Sequence, residues 1–117
     1  MLGGSKVQRR NEVDPIMEGD EVVKIYFSTN RIVFSVASIL PGLKGAVDPG
    51  HKGADEVAYV VQGHVVVKVS QETKELKEGD GILIPEGMPH QVINIGEAKA
   101  VMVWAAAPSL GRVTIHE

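Results

Sequence analysis

The chain has 117 residues, which is enough for one small domain and too few for two. Val and Ile outnumber Leu and Ala, and 13 Gly and 6 Pro accompany them, so the composition favours strands and turns over helices. A formal charge of −3 excludes an excess of basic surface for nucleic acid. The sequence has no cysteine, which excludes a disulfide scaffold, thiolate metal sites and a cysteine nucleophile.

Neither a secretory leader nor a membrane span is expected. Residues 1–12 contain Lys6, Arg9 and Arg10 but no apolar stretch of the kind that a leader requires. The longest apolar run, residues 100–108, is about half as long as a membrane span. We therefore expect a cytoplasmic protein that has neither a membrane nor a nucleic acid as its partner.

Short β-branched segments separated by turn residues recur along the chain. Residues 21–40 lack Gly and Pro, yet their β-branched and aromatic content favours two strands joined by a turn over one helix. A Gly-rich loop follows at 41–54, where site residues are often found. We expect strands near residues 22–27, 32–39, 57–61, 64–69, 81–85, 90–95 and 100–106, with 71–78 as a charged hairpin arm. This spacing predicts an antiparallel sandwich or barrel.

The domain is expected to cover residues 16–110. Residues 1–15 and 111–117 are each expected to form a tail or an edge strand, and His116 belongs to the second of these segments. His64 follows a turn glycine and is expected to face solvent.

The densest pattern in the sequence is GDGILIPEGMPHQVIN, at residues 79–94. Gly79 and Gly87 suit tight turns, and Pro85 ends a strand because it has no N–H to donate. His90 then begins a strand in which Asn94 shares its face. These five residues, at these spacings, resemble the second motif of the cupin family.

The segment PGHKGADEVAYVVQG resembles the first cupin motif from its C-terminal end. Gly63 matches the closing glycine, Glu56 the glutamate and His51 the second histidine. The first histidine is missing. Counting from one end of the motif places Pro49 at that position, and counting from the other end places Asp48 there.

The resemblance implies an all-β, single-domain jelly-roll barrel with a divalent metal inside it. Carried over by position, the matching ligands are His51, Glu56 and His90, and Asp48 is a candidate fourth ligand. Two imidazoles and one carboxylate also form a mixed N/O set that suits Fe, Mn, Ni, Co or Zn and leaves coordination positions open.

Strand alternation indicates what surrounds such a metal. If Glu56 points inward, Ala58 and Val60 do so as well, and Tyr59 points outward. By the same rule Val92 lies on the face of His90. These apolar walls suit a small organic ligand. The sequence of the last strand does not show which of its residues point inward, so the position of Trp104 stays open.

Two functional hypotheses follow. The first is a metal-dependent enzyme of the dioxygenase, decarboxylase, isomerase or lyase type, in which Glu56 is a ligand and also a candidate catalytic base. The second is a non-catalytic module that binds a metal or a small molecule, which the missing histidine favours. A homodimer is expected in either case, since a small barrel has apolar outer strands to cover.

Overall fold

The computed structural model describes residues 3–108, where it contains nine β-strands and one short 3-10 helix, Arg10–Glu12. The strands are β1 Ile16–Glu18, β2 Glu21–Ser28, β3 Val33–Ile39, β4 Asp55–Gln62, β5 His64–Val69, β6 Glu72–Lys77, β7 Gly81–Ile84, β8 His90–Asn94 and β9 Ala100–Ala107. The all-β prediction is confirmed, and the predicted hairpin arm is strand β6. The segment 111–117, with His116, lies outside the described residues.

Within residues 3–108, no helix combines the length and the apolar character needed to cross a membrane.

The strands form two antiparallel sheets that enclose the core. The larger sheet has the order β1-β2-β3-β9-β4-β7, and the smaller has the order β6-β5-β8. Their inward residues alternate with outward ones, so each sheet contributes one apolar face. The main core cluster combines residues of both sheets: Ile39, Ala58, Val60, Ile84, Ala100 and Met102 from the larger, and Val65, Val67, Val69, Leu76 and Val92 from the smaller. As predicted, Ala58 and Val60 are buried while Tyr59 is exposed.

An irregular segment at residues 42–48 joins the two sheets at one edge. It lies beside β8 through the isolated bridges Lys44↔Ile93 and Asp48↔His90. On its other side it bonds to the turn between β1 and β2, where the Ala46 N–H donates to the Glu18 carbonyl at 2.9 Å. The segment therefore closes the barrel and aligns β1, β2 and β8 around one end of the interior.

The side chain of Asn94, the last residue of β8, forms hydrogen bonds to three separate backbone groups. Its amide nitrogen donates to the carbonyl of Ile39 at 2.8 Å and to that of Ala98 at 2.9 Å. Its amide oxygen accepts from the N–H of Gly96 at 2.8 Å. The side chain is 1% exposed, so these bonds replace all of its contacts with water. The asparagine of the second motif is thus a structural cross-link.

We expect Asn94→Ala to lower the free energy of unfolding by about 2–4 kcal/mol, because it leaves buried backbone groups without partners. Urea denaturation followed by circular dichroism measures this change. The exposed Asn30 is the matched control, and Asn30→Ala is expected to change stability by less than about 0.5 kcal/mol. Equal losses in the two variants would contradict the role assigned to Asn94.

Candidate metal centre

His90 is the buried centre of the site, and its ring orientation is fixed. It is 5% exposed at the start of β8. Its Nδ1 lies 3.0 Å from the carbonyl oxygen of Met88. Since a carbonyl oxygen only accepts, Nδ1 carries the proton and donates it there. In the neutral ring, Nε2 then presents its lone pair to the interior, which is the tautomer that a metal ligand requires.

Two carboxylates lie next to that nitrogen. The Nε2 atom of His90 is 3.7 Å from Oδ2 of Asp48 and 3.7 Å from Oε2 of Glu56. Glu56 points inward from β4 and its side chain is 12% exposed. One ligand atom from each of Asp48, Glu56 and His90 fits within 4.8 Å of the other two. Three of the four predicted site residues therefore meet at one point.

Asp48 reaches this point because its backbone is paired with that of His90. Each N–H donates to the other residue's carbonyl at 2.8 Å. The Oδ1 atom of Asp48 also accepts from the N–H of Gly50 at 2.8 Å, which orients the carboxylate. Of the two residues that the sequence left open at the missing histidine's position, Asp48 is the one whose side chain offers a ligand atom to the cluster.

His51 lies at the edge of the cluster. Its Nε2 is 3.5 Å from Oδ1 of Asp48 and 4.0 Å from Oε2 of Glu56. The group of three side chains with mutually close ligand atoms does not include it. His51 thus contacts both carboxylates from the loop side, and its side chain is 22% exposed.

The loop that carries His51 packs against the turn that precedes His90. The N–H of Gly87 donates to the carbonyl of His51 at 3.1 Å. Gly50 has a φ of +87°, and a Cβ there would come within 2.7 Å of the Gly87 and Met88 backbone. Glycine at position 50 therefore permits both the left-handed backbone and the close approach of the two loops. This contact brings the two motifs together in space.

Burial and charge act on Glu56 together. Its burial raises the pKa of its carboxyl above the ordinary value, and the neighbouring Asp48 carboxylate raises it further. His90 and His51 lower the pKa when they are protonated, but burial is the largest influence. A positive charge at this point would stabilise both carboxylates.

The donor set fits a divalent metal ion. One carboxylate oxygen each from Asp48 and Glu56 lies close to Nε2 of His90, and all three atoms are electron-pair donors. Ligand atoms that share one ion with bonds of 2.0–2.2 Å lie about 3–3.5 Å apart. The observed 3.7 Å separations from His90 exceed this only slightly, so small side-chain movements suffice.

A cavity of about 70 Å³ adjoins the cluster. Its lining includes residues that the sequence motifs did not indicate, chiefly Glu18, Glu21 and Trp104. The sequence could have indicated Glu21, because alternation along β2 places it on the same face as the buried Val23. No comparable signal existed for Glu18, which reaches the cavity through the closure of the barrel by segment 42–48.

Trp104 covers one side of His90. The two rings stack with centroids 5.8 Å apart and an interplanar angle of 23°. The sequence did not indicate which residues of β9 point inward, and the structure shows that Trp104 is one of them. Its Nε1 is buried, and no hydrogen-bond partner for it lies among residues 3–108. The N–H of this tryptophan, the only one in the sequence, is therefore without a partner in the described part of the chain.

Comparison with known proteins identifies the family. A family model described as a cupin domain matches residues 35–106, which include both motifs and the side chains of Asp48, Glu56 and His90. The chain belongs to the cupin family, and the predicted jelly-roll barrel is confirmed.

Individual relatives are more distant. "Polyketide synthase CurC" from Streptomyces cyaneus is 38% identical over 68 residues, which are 54% of this chain and 44% of that protein. The chain spans between 44% and 62% of the curated relatives that it matches. KdgF from Halomonas sp. superimposes with a TM-score of 0.77 at 22% identity, over 96% of this chain and 99% of that one. A predicted oxalate decarboxylase from Thermotoga maritima gives a TM-score of 0.76 at 18% identity, over 88% and 99% of the two chains. The likeness to these two structures establishes the fold alone.

Glu21 makes the stability of the metal-free protein dependent on pH. Burial, aided by the charges of Glu18 and Asp48, raises the pKa of Glu21 from 4.5 to about 8. Between these values Glu21 of the unfolded chain loses its proton while Glu21 of the folded chain keeps it, so the contribution of this residue to stability is greatest below pH 4.5 and is lost as the pH rises to about 8. We expect Glu21→Gln to remove this loss, which has a slope of up to about 1.4 kcal/mol per pH unit.

Urea denaturation of both proteins with a chelator present, at a mildly acidic and a mildly alkaline pH, measures the effect. Glu78→Gln, at an exposed position, is the matched control and is expected to follow the wild type. If Glu21→Gln keeps the wild-type pH dependence, the assignment is wrong.

Proposed function

We propose that this protein is a cytoplasmic, metal-dependent enzyme that acts on a small molecule inside the barrel. The observation that carries the proposal is the convergence of Asp48, Glu56 and His90 at one point beside a cavity. In this proposal these three side chains hold a divalent metal, and His51 moves from the edge of the cluster to complete the set. The mixed N/O ligands suit Fe, Mn, Ni, Co or Zn.

A metal held in this way supplies Lewis acidity to a substrate oxygen. The chain's own groups prepare the place where this happens. The Met88 carbonyl orients the ring of His90, and the Gly50 N–H orients Asp48. Trp104 covers the ring of His90 and keeps water away from it.

Glu56 is the proposed catalytic base. Its carboxyl faces the cavity, and burial raises its pKa above that of an exposed glutamate before a metal binds. As a base it would act through a carboxyl oxygen that does not hold the metal. In this role it takes a proton from a substrate bound in the cavity and holds it on one carboxyl oxygen.

The relatives carry different names, so the fold does not select one reaction. CurC is named a polyketide synthase, and its similarity to this chain supports an organic substrate that carries oxygen. The Thermotoga maritima structure is named for a reaction on oxalate, but at 18% identity it supports the barrel and not the substrate.

Metal content of the tag-free protein tests the proposal. We expect about one equivalent of metal per chain by mass spectrometry after reconstitution, and a loss of affinity of at least about tenfold in His90→Ala, Asp48→Ala and Glu56→Gln, because each removes one ligand. His64→Ala is the matched control, since His64 lies on β5 against Glu75, away from the site. It is expected to bind metal as the wild type does.

If the wild type binds none of the five metals, the enzyme proposal fails and the non-catalytic binding module takes its place. If metal remains in the three site variants as it does in His64→Ala, the assignment of the ligands is wrong.

The outer face of the larger sheet supports the proposal of a homodimer. Val57 on β4 pairs with Leu83 on β7 and with Ala105 on β9, so the three side chains share one face. Val57, Tyr59, Val61 and Leu83 are each between 45% and 59% exposed. A contiguous apolar face of this kind is uncommon on a monomer, and a second copy of the chain would cover it.

We expect the protein to sediment at twice its chain mass of 12.5 kDa. The double variant Val57→Lys with Leu83→Lys is expected to sediment as a single chain, because each lysine places a charge on the apolar face. Thr73→Lys, on the exposed side of β6, is the control and should leave the mass unchanged. A wild-type protein that sediments as one chain at micromolar concentration would contradict the dimer.

A further inference from the structure

His51 lies in a loop, residues 49–54, whose two ends are fixed. Asp48 precedes the loop, and its backbone is paired with that of His90. Strand β4 follows the loop and carries Glu56 as its second residue. The loop therefore begins and ends next to residues of the metal cluster, and the position of His51 depends on the path of the backbone between these ends.

The middle of this loop has little stiffness of its own. Gly50 and Gly53 have φ values of +87° and +86°, and both lie within two residues of His51. Glycine has more backbone freedom to lose than any other residue, so contacts with other parts of the chain have to supply the order of the loop. The hydrogen bonds that leave the loop therefore decide where His51 lies.

Three hydrogen bonds connect the loop and the start of β4 to the turn that precedes β8. The N–H of Gly53 donates to Oε1 of Glu86 at 2.9 Å, and the N–H of Glu86 donates to Oδ1 of Asp55 at 3.2 Å. The N–H of Gly87 donates to the carbonyl oxygen of His51 at 3.1 Å. Glu86 thus takes part in two of these three bonds, as an acceptor through its side chain and as a donor through its backbone.

Glu86 itself lies outside the metal cluster. Its side chain is exposed. Within the described residues, neither the group of close ligand atoms nor the lining of the cavity includes it. Position 86 is also not one of the five residues by which the second cupin motif was identified. An effect of Glu86 on a bound metal would therefore pass through the loop or through its charge.

The loop holds His51 at a distance that suits a shared ion. Its Nε2 lies 3.5 Å from Oδ1 of Asp48, which is within the separation of about 3–3.5 Å between two ligands of one ion. The 4.0 Å to Oε2 of Glu56 requires only a small side-chain movement if the backbone of the loop stays in place. A loop without its outside contacts would instead lose backbone freedom when His51 binds the ion, and this loss would weaken binding.

We propose that Glu86 is a positioning residue for the metal site, because its carboxylate accepts from the N–H of Gly53 and thereby keeps His51 within reach of the ion. This inference rests on the proposed function, since it concerns how the same site acquires its fourth ligand. Glu86 contacts no metal ligand through its side chain and acts on His51 through the backbone of the loop.

Two substitutions at position 86 separate the hydrogen bond from the charge. Glu86→Ala removes both, whereas Glu86→Gln removes the charge and keeps an acceptor oxygen. Glu97→Ala, which removes an exposed glutamate from the turn between β8 and β9, is the matched control. Titration with cobalt(II), followed by visible absorption, measures the dissociation constant of the metal. In the metal-free protein, NMR measures the rate at which the Gly53 amide proton exchanges with water.

We expect Glu86→Ala to weaken cobalt binding by about threefold to tenfold and to speed the exchange of the Gly53 amide by a similar factor, because both depend on the lost hydrogen bond. Glu86→Gln and Glu97→Ala are expected to stay within about twofold of the wild type in both measurements. When His51→Ala is already present, adding Glu86→Ala is expected to weaken binding by less than about twofold, since Glu86 acts only through His51.

Three results would overturn the role of Glu86. The first is a loss of affinity in Glu86→Gln as large as that in Glu86→Ala, which would indicate an effect of charge. The second is an equal loss with and without His51. The third is unchanged or tighter cobalt binding in Glu86→Ala.

Failure of the proposed function has a different signature. The wild type would then bind neither cobalt nor any of the other four metals, while the exchange rate of the Gly53 amide would still depend on Glu86. An exchange rate that is the same in the wild type and in Glu86→Ala overturns the role of Glu86 whether or not the metal binds.

Discussion

The site depends on the backbone pairing of Asp48 with His90. These two residues are far apart along the chain, and their reciprocal N–H to carbonyl bonds of 2.8 Å set the distance between their side chains. Because the same segment also bonds to the turn between β1 and β2, one irregular strand positions the imidazole, a carboxylate and the acidic wall of the cavity. A change in its register by one residue would direct Asp48 to the opposite face.

The geometry of the site makes negative charge costly in the absence of a cation. Burial raises the pKa values of Glu18, Glu21 and Glu56, so each of these carboxyls resists ionisation more than an exposed one does. A barrel interior filled by Val, Ala and Met would be more stable with apolar side chains at these positions. Functional sites commonly sacrifice stability in this way, and the divalent cation proposed for this site would offset the cost.

Both motifs act first as structural devices. Gly50 allows two loops to touch, and Asn94 links the start of the β8–β9 turn to the end of β3. These contacts hold the loop of His51 and the start of β8 in fixed relation. The residues of the motifs that carry no chemistry therefore determine where the chemical groups lie. This is why the barrel was recognisable from glycine, proline and asparagine spacing even though the first histidine is missing.

The sequence by itself determined the all-β class, most strand positions and the inward faces of β4 and β8. These follow from local rules, because strand alternation and turn chemistry act over a few residues. Its resemblance to the cupin motifs named His51, Glu56, His90 and Asp48 as candidate ligands. The tertiary structure alone decided that Asp48 joins the cluster and that His51 lies at its edge. It also decided that Glu18, Glu21 and Trp104 line the cavity, since their approach depends on pairings between strands that are distant in the chain.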